Sequence, residues 1–244
     1  MKRFFSCRMR LFGKKIAALL LTLGLVAVFG NIFRPARLAD ALVRTSVGEL
    51  RPTVVLDAGH GGFDGGTVSL YGTPEKEVNL AVALASCRFL QLFGFRVVLT
   101  RSEDTALAAD KKQDMHRRLE IIRREPDAVF LSIHQNHFTE QKYFGAQMFY
   151  GSRREQESRQ LAAVLQDRFR ENLNMQNNRQ IKPAPADLYL FKNAPQPCVL
   201  VECGFLSNPE EAKLLVNPDY QGQIAFTIAQ AVFEFQAQPP AERK

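Results

Sequence analysis

Four side chains of the 244-residue sequence have the type and the placement for hydrolytic chemistry. His60 follows the apolar run "TVVLDAG", inside a turn that carries Gly59, Gly61, Gly62, Gly65 and Gly66. Glu75 opens an amphipathic segment, His134 ends "FLSIH", and Glu202 lies near the end of "CVLVE". Two histidines and a glutamate with an open fourth position form the donor set of a catalytic zinc site. A further glutamate nearby can act as general base. Taken singly, each residue has an ordinary reading. A histidine after a strand is most often a hydrogen-bonded structural residue, and Glu75 suits the first turn of a helix. Glu202 is harder to set aside, because Val199, Leu200, Val201 and Cys203 flank it in what reads as a buried strand, where a carboxylate needs a partner or a function. His116 and His137 read as surface or loop histidines, with His137 the one rival to His134. A glycine turn after a strand can also hold phosphate, but neither phosphate-loop pattern is matched. Asp57 and Asn136 are candidates to orient the histidine rings.

In an open α/β sheet, sites form at the carboxyl ends of the strands. The elements that must position these residues read accordingly. Strands are expected over 53–59, 95–100, 127–134, 146–151 and 197–205. Glu75 to Phe93 reads as a helix with Thr73 as its cap, Pro74 in its first turn and Gly94 past its end. Further helices are expected over 111–124, 154–173 and 220–235, with a short one opening at "NPEE" (208–211). Alternation of this kind predicts one α/β domain over 53–237, a mainly parallel twisted sheet with helices on both faces.

Charge and hydropathy set the N-terminus apart. The net charge is +7, with 32 basic and 25 acidic residues. Residues 1–38 hold eight of the basic side chains and no acidic one, so the remainder is close to neutral and nucleic-acid binding loses its support. Six of those basic residues precede the apolar stretch Ile16 to Phe33. That order reads as an export signal or membrane anchor over 1–33, which sends the rest of the chain out of the cytoplasm. Residues 34–52 read as a linker and 238–244 as a frayed tail. Cys7, Cys87, Cys198 and Cys203 form no CxxC pair, so neither a disulfide framework nor a cysteine zinc knot is indicated.

The segments "LDAGHGGFDGGT", "PEKEVNLAVAL", "VVLTR", "FLSIHQN" and "VLVECGFLSNPEE", in that order, resemble the motifs of the bacterial zinc-dependent N-acetylmuramoyl-L-alanine amidases. The likeness spans roughly 53–236 and is greatest to the germination-specific, spore-cortex branch. It implies His60, Glu75 and His134 as ligands of one Zn2+ and Glu202 as the catalytic acid/base, with Glu75 preferred to Glu77. It also implies a substrate: peptidoglycan glycan strands bearing stem peptides, which the spore-cortex enzymes remove so that muramic-δ-lactam can form. Ala58 and Thr67 stand where the family usually has proline and alanine, and Ile122–Arg123 replace an Ala–Asn pair after the retained Arg118. Two alternatives remain open: a zinc peptidase acting on wall cross-links, and a non-catalytic wall-binding protein. Need for an accessory protein is not readable from the sequence.

Overall fold

The computed structural model describes residues 51–238. The elements follow in the order β1 (Arg51–Ala58), α1 (Glu75–Leu92), β2 (Phe95–Leu99), α2 (Lys111–Arg123), β3 (Val129–Asn136) and β4 (Gln147–Tyr150). They continue with α3 (Glu155–Asn172), β5 (Lys182–Pro183), α4 (Tyr189–Asn193), β6 (Cys198–Phe205), α5 (Pro209–Leu215) and α6 (Pro218–Ala237). The strands form one sheet in the order β2-β1-β3-β6-β4-β5. β1 pairs parallel with β2 and β3, and β3 parallel with β6. The expected α/β architecture with a mainly parallel sheet is therefore what the chain adopts.

β1, β3 and β6 are apolar almost without interruption because both of their faces are covered. Val54, Leu56, Leu131, Ile133, Val199 and Val201 point to one face, against α1, α3 and α6. Val55, Phe130, Cys198 and Leu200 point to the other, against α2 and α4 through Leu119, Ile122, Leu190 and Phe191. Side chains alternate along a strand, so Asp57, Ser132, His134 and Glu202 continue the second face toward the carboxyl ends. A hydrophobic layer thus runs into a polar one along the same three strands.

β4 departs from the parallel rule. It pairs antiparallel with β6, and its only parallel partner is the two-residue β5. A parallel pair needs a crossover long enough to return the chain to its starting edge. The loop between β3 and β4 carries no helix, so the chain re-enters the sheet from the carboxyl end and runs back beside β6.

Helix ends differ from expectation by one or two residues. Pro74, not Thr73, occupies the cap position of α1 and makes no side-chain cap bond. Ser69 Oγ instead accepts from Tyr71 N and Thr73 N. Asp110 caps α2, and Asn208 and Asn217 cap α5 and α6. α4 lies in a proline-containing stretch with no helical signal, and burial of Leu190 and Phe191 holds it. β1 begins at Arg51, inside the stretch read as linker. The segment read as an anchor lies outside the described residues. Among the described residues, no helix is long and apolar enough to cross a membrane.

Candidate metal centre

The backbone after β1 turns sharply, and His60 sits in the left-handed region at φ 61°. A non-glycine residue adopts that conformation only when its surroundings over-determine it. Here they do. Arg118 donates from Nη1 to Ala58 O (2.9 Å) and from Nη2 to His60 O (2.5 Å). Arg101 donates from Nε to Ala58 O (2.8 Å) and from Nη2 to Gly59 O (3.0 Å). Asn79 Nδ2 donates to Gly59 O at 3.2 Å. Three successive carbonyls are therefore held by buried donors, and the His60 side chain is turned toward the sheet.

Glu75 stands at the start of α1, buried, whereas Glu77 is exposed. Its Oε2 accepts from Thr67 N and lies 3.2 Å from His60 Nε2. Its Oε1 accepts from Gln135 N and Asn79 Nδ2 and lies 3.0 Å from His134 Nδ1. His134 reaches this point from β3. The two imidazoles meet edge to face, with centroids 5.0 Å apart. One donor atom from each of His60, Glu75 and His134 falls within a 4.8 Å span. Two imidazole nitrogens and one carboxylate oxygen at this spacing fit a divalent metal of the zinc type.

The glycines of the turn now have a cause. A Cβ on Gly59 would lie 2.2 Å from His134 Nε2, and one on Gly66 would lie 2.6 Å from Glu75 Oε2. The backbone passes so close to the donor side chains that only glycine fits. Gly66 also has a φ of 69°.

Glu202 lies opposite His134 in the β3–β6 register and faces the same cavity, of about 300 Å³, as His60, His134, Asp64, Lys111 and Tyr189. Among the described residues its Oε2 has no hydrogen-bond partner. Burial pushes its carboxyl up to about 7; the His134 and His60 imidazoles oppose this and the Glu75 charge adds to it. Glu75 is the opposite case. Burial disfavours its charge, yet contact with His134 and His60 holds its carboxyl far below the usual range. One carboxylate is thus locked ionised while the other is poised to carry a proton.

The remaining predicted residues take other places. Asp57 does not touch a histidine ring. Its Oδ1 accepts from Arg118 Nη1 (2.8 Å) and Thr100 Oγ1 (2.6 Å), and its Oδ2 from Ser132 Oγ (2.6 Å). It supports His60 through the arginine and the main chain rather than through the ring. Asn136 Oδ1 accepts from His137 N, so it shapes the end of β3 instead of orienting an imidazole. His137 is exposed and stays out of the cluster. Asp64 was not singled out by the sequence, yet its Oδ1 lies 3.0 Å from His60 Nδ1. The signal was its position four residues after His60 in the glycine turn. Asn79, one helical turn after Glu75, was equally legible in principle.

Two measurements test this construction. Gly59→Ala should leave a folded protein whose metal affinity, read by competition with a chelator, is at least about tenfold lower, because the His134 ring must move. Asp57 concerns acid stability. Despite burial, the Arg118 charge and the Ser132 and Thr100 hydroxyls hold its carboxyl at about 2, below the ordinary 3.8. A depressed carboxylate stabilises the fold above its unfolded value and loses that contribution as pH falls through its folded value. Asp57 should therefore contribute on the order of 2 kcal/mol above about pH 4, lost toward pH 2. Urea midpoints across this range should show that segment of the pH dependence in the parent and not in Asp57→Asn.

Comparison with known proteins agrees with this geometry. Residues 54–234 match the family model described as N-acetylmuramoyl-L-alanine amidase. The germination-specific N-acetylmuramoyl-L-alanine amidase of Bacillus subtilis (strain 168) is 37% identical over 190 residues, covering 75% of this chain and 78% of that protein. The amidase AmiA of Escherichia coli (strain K12) is 30% identical over 262 residues, covering 87% and 89%. The CwlD amidase from Clostridioides difficile, solved in complex with the GerS lipoprotein, has a TM-score of 0.69 at 37% identity, covering 75% of this chain and 98% of that one. A match that runs from the first buried strand to the last helix leaves one assignment, and the chain belongs to the N-acetylmuramoyl-L-alanine amidase family.

Proposed function

We propose that the chain hydrolyses the amide between the lactyl group of N-acetylmuramic acid and L-alanine with one zinc ion, in forming the muramic-lactam of the spore cortex. Amidase activity on peptidoglycan follows from family membership. The zinc, the residue roles and the spore-cortex setting are the reading. The observation that carries the residue roles is the buried Glu202 carboxylate, with a partnerless oxygen beside the His60–Glu75–His134 set.

His60, Glu75 and His134 would hold the ion, which when bound supplies Lewis acidity for hydrolysis. The dense hydrogen bonding of Glu75 keeps it a fixed anionic donor. Glu202 accepts the proton of the attacking water at its carboxylate and returns it to the leaving amine of L-alanine. Water and amide thus become the lactyl carboxylate and a free amine. Leu188, Leu190 and Phe191 wall the cavity and limit water around the reacting groups.

The similarity to the germination-specific enzyme supports the cortex setting. The GerS complex of the C. difficile relative supports an accessory lipoprotein as a partner for this chain too. Peptidoglycan lies outside the cytoplasm, so the chain acts there, and the basic-then-apolar N-terminus is suited to delivering or anchoring it.

Glu202→Gln separates chemistry from metal binding. Glutamine keeps the volume but cannot take up the proton. Amide cleavage, read by mass spectrometry of digested peptidoglycan, should fall by at least about 10²–10⁴-fold while zinc stays bound. In His134→Ala zinc and activity should vanish together. Undiminished cleavage by Glu202→Gln would end this assignment.

A further inference from the structure

On the far side of Glu202 from the histidines, the sheet carries an arginine that the proposed chemistry does not use. Gln147 lies directly opposite Glu202 in the β4–β6 pairing, and Phe205 lies opposite Asn136 across the bulge at the end of β3. Met148 and Val201 point to the other face, so Gln147 and Glu202 share the face of the site. Arg179, from the loop before β5, lies over both of the neighbours. Its guanidinium stacks on the Phe205 ring at 4.4 Å. Its Nε donates to Phe144 O (2.6 Å) and its Nη1 to Gln147 Oε1 (3.2 Å).

These contacts, with the Tyr143 ring centroid 6.0 Å away, engage Nε, Nη1 and a face of the planar head and leave Nη2 free. Among the described residues Nη2 makes no hydrogen bond, and no carboxylate lies within ion-pair distance of Arg179. Glu211 exerts the largest opposing charge on it, but its two oxygens are taken by Gly145 N and Phe205 N. Asn177 bonds Ala146 O and accepts from Arg179 N, so the arginine's own backbone is tied to the start of β4. A half-buried guanidinium fixed in place, whose nearest carboxylate is bonded elsewhere, is preorganised for an anion.

The substrate chemistry supplies one. In the amide to be cleaved the muramic carboxyl is consumed in the scissile bond, and the carboxyl of L-alanine in the next peptide bond. Where the second stem residue is a glutamate joined through its γ-carboxyl, its α-carboxylate is the first free one, on the leaving-group side. We propose that Arg179 binds this stem-peptide carboxylate and so sets the direction in which the substrate lies across the site. The inference rests on the amidase reading of the site, and it assigns the β4 side of the cleft to the peptide.

The test compares two probes, N-acetylmuramoyl-L-alanyl-γ-D-glutamyl-L-lysine and the same compound with the glutamyl α-carboxyl amidated. The full zinc-loaded chain is assayed for kcat/KM on each, and calorimetry gives the Kd of each released peptide. The parent should favour the free carboxylate by about 10–100-fold, the range of a charge-assisted hydrogen bond. Arg179→Gln should lose that preference, mainly in KM, and Arg179→Lys should keep part of it. The ratio of the two probes is independent of how much variant folds. An unchanged ratio in Arg179→Gln, or equal treatment of both probes by the parent, overturns the proposal. Cleavage without preference leaves the amidase reading standing. Preference in binding without cleavage leaves the anion site standing and removes the reaction.

Discussion

The buried ion pair between Asp57 and Arg118 is the interaction on which the site depends. Asp57 alone on the second face of β1 would be a costly buried charge, and Arg118 alone would be another. Together, with Asp114 on Arg118 Nε and two hydroxyls on Asp57, their hydrogen-bonding capacity is largely used. The remaining donors of the arginine fall on the carbonyls of Ala58 and His60. A charged pair of this kind adds little stability over an apolar equivalent. What it adds here is direction, because it holds the strained turn that presents His60.

The convergence of donors is a backbone problem before it is a side-chain one. His60, Glu75 and His134 come from a turn, a helix start and a strand, and each approach leaves no room for a Cβ on the chain passing alongside. Gly59 and Gly66 provide that room at the entropic cost glycine carries. The same turn brings Asp64 to the outer nitrogen of His60. Main-chain donors at Thr67 and Gln135 then fix both Glu75 oxygens. Rigidity of the donors is therefore assembled from main-chain bonds, which are insensitive to side-chain rotamers.

The reversal of β4 shapes the other half of the cleft. Because β4 runs against β6, its first residue, Gln147, lies beside Glu202 at the carboxyl end of the sheet. The loop that precedes β4 and the loop between α3 and β5 then meet there and bring Phe144, Asn177 and Arg179 together. Glu202 thus lies between two unlike neighbourhoods: the apolar side chains of α4 that line its cavity, and Gln147 on β4, whose side chain accepts from Arg179.

The sequence by itself determined the strands β1, β3 and β6, the helices with clear 3.6-residue periodicity, and the four candidate residues that the fold brings together at the carboxyl end of the sheet. Those features are local: an apolar run long enough to be buried, or a polar residue at its end where burial demands a reason. Legibility ended where partners are distant in the chain. Asp57 and Arg118 are 61 residues apart, and no periodicity relates them. The direction of β4 follows from how the chain re-enters the sheet, and α4 exists because Leu190 and Phe191 are buried against β3 and β6 rather than because its residues favour a helix. Only the tertiary structure could decide those points, because each is set by what the rest of the fold leaves to be covered, paired or neutralised.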